Sequence, residues 1–189
     1  MKSVATAFAA LAIAVPAAAQ DYSQTQARMA AQRDALAHFK PFHGRWRGKA
    51  TAYQPTGKLE LTQTERVGPF LDGATLLVEG RGYGADGALR FNAFAQIAYD
   101  PDTRAYSFRS QAMGYVGVFP VRLIPNGYIW EAPAGPGAII RYSTTITDGV
   151  WREVGERVAA GQPTVRTFEM ELRRLGDTDW PQAGTVPAR

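Results

Sequence analysis

What most constrains this chain is its cadence. From Gly44 onward apolar and polar residues alternate with period two, and turn residues break the alternation at short intervals. The breaks are Pro55-Thr56-Gly57, Asp72-Gly73, Asp86-Gly87, Asp100-Pro101-Asp102, Pro125-Asn126-Gly127, Pro133 to Gly137, Asp148-Gly149 and Gly161-Gln162-Pro163, with Gly114-Tyr115 a weaker one. Gly supplies positive φ, Pro pre-sets φ, and Asp and Asn bond their own turn backbone. The runs between them predict ten strands, over about 45–54, 58–67, 74–83, 88–99, 104–112, 116–124, 127–132, 138–147, 150–160 and 164–175. No helical segment separates these runs to serve as a crossover, so neighbouring strands must pair antiparallel. Strands of this length suit an up-and-down barrel better than a small open sheet. The expected fold is all-β, an antiparallel barrel of about ten strands with one N-terminal helix.

That helix is expected from Ser23 to Phe39. Ser23 and Gln26 have capping-box spacing, no Gly or Pro follows through Phe39, and Pro41 is expected to end it. Before it, Lys2 precedes a largely apolar run of 12 residues, Val4 to Val15, then Pro16 and the small Ala17-Ala18-Ala19. This is the pattern of a cleavable secretory signal, and the run is short of the ~20 residues a membrane span needs. The expected division is a signal peptide over 1–19, helix and leading loop over 20–43, barrel over 44–176 and a tail over 177–189. The expected location is periplasmic or secreted, with cleavage after Ala19.

The chain has no cysteine and two histidines, which excludes disulfide frameworks, thiolate nucleophiles and zinc-thiolate sites. His38 and His43 are five apart rather than four, so they are no helical metal pair. No metal or cofactor is expected. A net charge of +4, spread over all segments, is too weak for a nucleic-acid surface, and neither a nucleic-acid partner nor a membrane span is expected. Gly80-Arg81-Gly82-Tyr83-Gly84 lacks the strand–helix context of a phosphate loop, and its glycines are read as bending the sheet.

Strand phase indicates which side chains point inward. In the first strand Trp46, Gly48, Ala50 and Ala52 share one face; in the last, Phe168, Met170 and Leu172 do. Closing the meander sets the last strand beside the first, antiparallel, with Trp46 opposite Arg174. A guanidinium over the indole would close that end by cation–π stacking.

Gly44-Arg45-Trp46 after a short helix, followed by a meander ending in Arg174, resembles the calycin superfamily, which includes lipocalins, fatty-acid-binding proteins and the haem-binding nitrobindins. With Trp46-x-Gly48, Tyr99-Asp100, Asp148-Gly149-x-Trp151 and Phe168-x-Met170-x-Leu172, the segment from Phe39 to Leu175 looks closest to a family of secreted bacterial barrels of this fold. The resemblance implies a barrel with an internal ligand. Nitrobindins hold haem through a late histidine; none follows His43 here.

With Leu59 and Leu61 inside, Gln63 and Glu65 follow them inward; with Ile140 and Ile146 inside, so do Tyr142 and Thr144. Tyr106, Phe108 and Ser110 share a face, and Trp130 is placed to line a cavity. In the ninth strand, Val150, Val154 and Val158 would bring Arg152 and Glu156 inside, although Trp151 argues for the opposite phase. A carboxylate buried alone costs several kcal/mol, so an inward Glu65 must be paired, hydrogen-bonded or protonated; an inward Arg152 is one expected partner. The candidate ligand contacts are thus Gln63, Glu65, Tyr106, Ser110, Trp130, Tyr142, Arg152 and Glu156, and no catalytic residue is assigned.

The leading expectation is an exported barrel holding a small apolar or amphipathic molecule. Inward Gly48, Ala50, Ala52, Ala93 and Ala95 fill little of its interior, which should enclose roughly 300 Å³ or more and open at the end opposite Trp46. Two alternatives are a small isomerase, lyase or hydrolase using Glu65 or Glu156 with a tyrosine, and an envelope interaction protein whose outer face binds a partner. Neither strand count nor phase bears on oligomeric state.

Overall fold

The computed structural model describes residues 17–187, with side chains from Tyr22. Of the expected signal segment, residues 1–16 lie outside the described residues. Helix α1 (Ala17–Leu36) passes directly into one 3-10 turn, Ala37–Phe42. Ser23 is therefore interior to α1 rather than its cap. Pro41 sits inside the 3-10 turn rather than beyond a helix end, since so short a turn requires few N–H donors.

Ten strands follow: β1 (Gly44–Gln54), β2 (Gly57–Phe70), β3 (Thr75–Tyr83), β4 (Leu89–Asp100), β5 (Ala105–Ala112), β6 (Tyr115–Ile124), β7 (Gly127–Pro133), β8 (Ala138–Thr147), β9 (Val150–Ala159) and β10 (Val165–Gly176). Each pairs antiparallel with its neighbours, and β10 pairs with β1 to close the barrel. The turn chemistry is visible in the hairpins. Asp148 and Gly149 join β8 to β9 with both φ positive, 53° and 70°, the two-residue geometry that matches the twist of flanking strands. Met113-Gly114 repeats it between β5 and β6, at φ 49° and 88°.

Seam register agrees with the sequence phase: Trp46 lies opposite Arg174, Gly48 opposite Leu172 and Ala50 opposite Met170. The expected stacking of Arg174 on Trp46 is replaced by other contacts. Trp46 is fully buried, packs edge-on against Trp151 at 5.7 Å and donates its indole N–H to the Phe42 carbonyl at 2.8 Å. Arg174 remains exposed and donates to the His43 carbonyl at 3.3 Å and to Asp177. The cation–π contacts among the described residues are Lys58 over Tyr53 and Arg66 over Trp180. A buried indole satisfies both its ring and its N–H within the core, whereas a guanidinium near the rim keeps its hydration by facing out.

One barrel end is plugged by the helical segment. Phe39 and Phe42 are buried against Tyr128, and Phe42 also meets Trp151 edge-on at 5.1 Å. Polar bonds fix the plug: Tyr106 donates to the Ala35 carbonyl at 3.0 Å, and His38 Nε2 bonds the Gly127 carbonyl at 2.8 Å. Burial pushes the His43 imidazole below its ordinary pKa. On the outside of the barrel, Trp180 of the tail packs on Phe70 at 5.5 Å and under Arg66. No helix among the described residues is long and apolar enough to cross a membrane.

Candidate functional site

Between the plug and the loops at the far end lies a cavity of about 220 Å³. This is less than the roughly 300 Å³ expected of a drug-sized site, yet above the roughly 150 Å³ that accommodates benzene in a protein core. Its wall is mainly apolar and aromatic: Phe91, Ala93, Ala95, Phe108, Trp130 and Tyr142, with Phe168 and Met170 from β10. Trp130 is stacked between Phe108 (4.6 Å) and Tyr142 (4.2 Å, nearly parallel). The wall is therefore a rigid aromatic stack rather than a row of independent side chains.

Five of the sequence candidates line this cavity: Gln63, Glu65, Ser110, Trp130 and Tyr142. Tyr106 does not; from β5 it reaches the plug, donating to the Ala35 carbonyl. Arg152 and Glu156 are corrections. Both point outward from β9, where Arg152 pairs with Glu171 at 3.1 Å and Glu156 lies 3.7 Å from Arg166. Trp151 determines the phase of this strand. Burying its indole among Phe42 and Trp46 outweighs burying Val154 and Val158, and period two then carries Glu153 inward. The inward Arg152 expected to neutralise Glu65 is replaced by a second acid.

Glu65 and Glu153 thus face the same cavity from β2 and β9, and among the described residues no Lys, Arg or His lines it. Gln63 donates its amide to Glu65 Oε1 at 2.7 Å, and Thr144, fully buried, donates its hydroxyl to Glu153 Oε2 at 2.6 Å. Thr144 also hydrogen-bonds Tyr128. Each carboxyl is walled in by protein while retaining some accessible surface toward the cavity. Burial pushes Glu65 up to about 8, an effect the Gln63 bond opposes and the Glu153 charge reinforces. Burial likewise raises Glu153 to about 7 against its Thr144 bond. Tyr142 is raised to about 12 and Tyr128 well above its ordinary value, both chiefly by burial, so both stay neutral hydroxyls near neutral pH.

Glycine makes room for these groups. A Cβ on Gly80 would stand 2.8 and 2.9 Å from the two Glu65 carboxylate oxygens, and one on Gly82 would stand 2.9 Å from Gln63 Oε1. The Gly80-x-Gly82 spacing therefore provides the inner-face space that the Gln63–Glu65 pair occupies, beyond any bending of the sheet. Gly155 does the same for Tyr142, whose Cε1 would lie 2.9 Å from an added Cβ. Because the obstacle at Gly80 is the end of a flexible side chain, Gly80→Ala is expected to fold, costing under about 2 kcal/mol. It should displace the Glu65 carboxyl and shift its titration, as followed by carboxyl carbon NMR; an unmoved titration would contradict this packing.

On the outer face, Phe70, Leu71, Leu77, Phe94 and Val116 line a separate shallow groove. Among the described residues, no cluster of three or more His, Cys, Asp or Glu side chains is placed to hold a metal ion.

The closed ten-stranded antiparallel architecture with a helical plug defines the class of protein, an up-and-down β-barrel. The chain is similar in structure to Rv2717c from M. tuberculosis, with a TM-score of 0.56 and 16% sequence identity, covering 74% of this chain and 96% of that one. At that identity the likeness concerns the fold alone. No family model matches the chain, and no curated protein does.

Proposed function

We propose that this chain is an exported binding protein that holds a small, mostly apolar molecule inside its barrel. The observation that carries this reading is the cavity itself, about 220 Å³ of space walled by a stacked aromatic cluster and approached by a few polar groups. Well-packed interiors leave few voids larger than a water molecule, so a space of this size within a small barrel suits occupation by a ligand. Its volume favours a molecule of about one ring with a short side chain, by comparison with cavities that admit benzene. Export rests on the charged, apolar and small-residue pattern of the first 19 residues.

Protein purified from its native envelope and sprayed under native conditions is expected to carry a bound small molecule. Ala93→Leu, which extends a side chain into the cavity, is expected to lose that molecule while keeping its fold. A wild-type protein that neither carries a ligand nor acquires one from a panel of small aromatic compounds would overturn the reading.

The raised carboxyl pKa of Glu65 favours a second reading, in which the same cavity supports general acid–base chemistry with Glu65 as the proton-transferring group and Tyr142 as a hydrogen-bond donor. In that case Glu65→Gln would retain binding and lose turnover.

A further inference from the structure

Among the described residues, the cavity is lined by two carboxyl groups and by no cation to complement them. Glu65 and Glu153 reach it from β2 and β9, which β1 and β10 separate around the barrel, and their hydrogen-bond partners, Gln63 and Thr144, are uncharged donors. The titratable groups facing the pair are Tyr128 from β7 and Tyr142 from β8, both neutral, while Glu79 on the outer side of β3 adds further negative potential. Trp151, 3% exposed and part of the cavity wall, has an indole Nε1 with no hydrogen-bond partner. Trp130 Nε1, also in the wall, is likewise without a partner, so two groups that favour positive charge and two unpaired indole donors surround a space with apolar walls. Buried polar groups are normally satisfied, and buried charges are normally paired.

We propose that the ligand is a small arylalkylammonium ion bearing a hydrogen-bond acceptor, its protonated nitrogen between Glu65 and Glu153 and its ring against the Phe108–Trp130–Tyr142 stack. The acceptor would satisfy Trp151 Nε1. This rests on the reading of the barrel as a small-molecule binder and specifies the chemistry of the head group. An ammonium ion supplies the missing charge and several donors in one compact group. It also predicts a linkage: binding a cation favours the ionised carboxyls, so protons are released on binding near neutral pH. Affinity should then rise with pH as the two groups lose their protons.

The test is calorimetric titration of the full chain with tyramine and with 4-ethylphenol, which has the same ring and hydroxyl but no ammonium. Tyramine is expected to bind at least tenfold more tightly, with net proton release detected by comparing buffers of different ionisation enthalpy at pH 7. Glu153→Gln and Glu65→Gln should each reduce tyramine affinity at least tenfold and reduce 4-ethylphenol affinity by a much smaller factor. Equal or tighter binding of 4-ethylphenol, or undiminished tyramine affinity in both variants, would overturn the ammonium assignment and leave the binding-protein reading standing. Absence of binding by both compounds would overturn the assignment as well, and a concurrent failure of the envelope-purified protein to carry any ligand would remove the broader reading with it.

Discussion

The free energy of unfolding is expected to decrease as pH rises from about 5 to about 8, and Glu65→Gln is expected to remove most of that decrease. Glu65 titrates near its ordinary value of 4.5 when unfolded but about 8 when folded, because burial penalises its charged form. Glu153 behaves alike, at about 7. Below the unfolded value both states are protonated and burial of the neutral acid costs little. Between the two values the unfolded chain ionises while the folded chain keeps its proton, so the folded state binds more protons and loses stability as pH rises. Above the folded value the full penalty is present. The contribution of Glu65 is about 3 kcal/mol after allowance for water reaching its cavity side, a large share of the stability of a small domain. On the acid side the sign reverses. Asp86, Asp100 and Glu169 are held below the ordinary carboxyl range, first by the Ala88 backbone N–H, the Asp102 backbone N–H and the Tyr53 hydroxyl respectively, so they favour the native state until protonated. Urea unfolding at pH 5 and pH 8 checks this: the wild type should be the less stable at pH 8, and Glu65→Gln should gain there and change little at pH 5. Equal wild-type stability at the two values would mean that the pair is solvated as at a surface.

Much of this barrel is legible in the sequence because its turns carry unambiguous chemistry. Asp148-Gly149 and Asp72-Gly73 mark chain reversals that only a few residue types adopt, and the strands lie between them. The site was partly legible. Gln63 and Glu65 follow Leu61 inward by period two, and Trp130 and Tyr142 follow the same rule. Strand β9 was ambiguous because Val150 is buried as well as Trp151. The larger residue sets the face: Trp151 turns inward and Glu153 with it, leaving Arg152 and Glu156 outside. The side-chain geometry at the closed end was not legible. Register sets Trp46 opposite Arg174, but which groups touch depends on Phe42 and Trp151, brought there by a plug and a strand remote in sequence. The extension of β2 through Gly68 and Pro69 escapes for a related reason: Pro reads as a break, although here it pairs with Leu76 near the end of its strand.

Gly48→Ala is expected to destabilise the barrel by about 3 kcal/mol or more, and to do so by opening the seam between its first and last strands. Gly48 pairs with Leu172 across that seam and with Gln63 on its other side. An added Cβ would overlap the Glu171 carbonyl oxygen and come within 2.9 Å of Leu172 Cα. These are backbone atoms in a hydrogen-bonded ladder, so relief requires moving a strand rather than rotating a side chain. The contrast with Gly80 is direct, since there the added methyl meets the movable end of Glu65. The seam joins residues more than a hundred positions apart, and its closure has the largest loop entropy to offset of any pairing in the barrel. Once parted, β1 and β10 expose two unpaired edges, which template association between chains. Hydrogen exchange should therefore show loss of amide protection concentrated in β1 and β10, with β4 to β7 protected longer, and the variant should aggregate at concentrations the wild type tolerates. Protection lost evenly around the barrel would mean that the strain is shared by the whole sheet, and a wild-type denaturation midpoint would mean that the seam is not closed at Gly48 as the register describes.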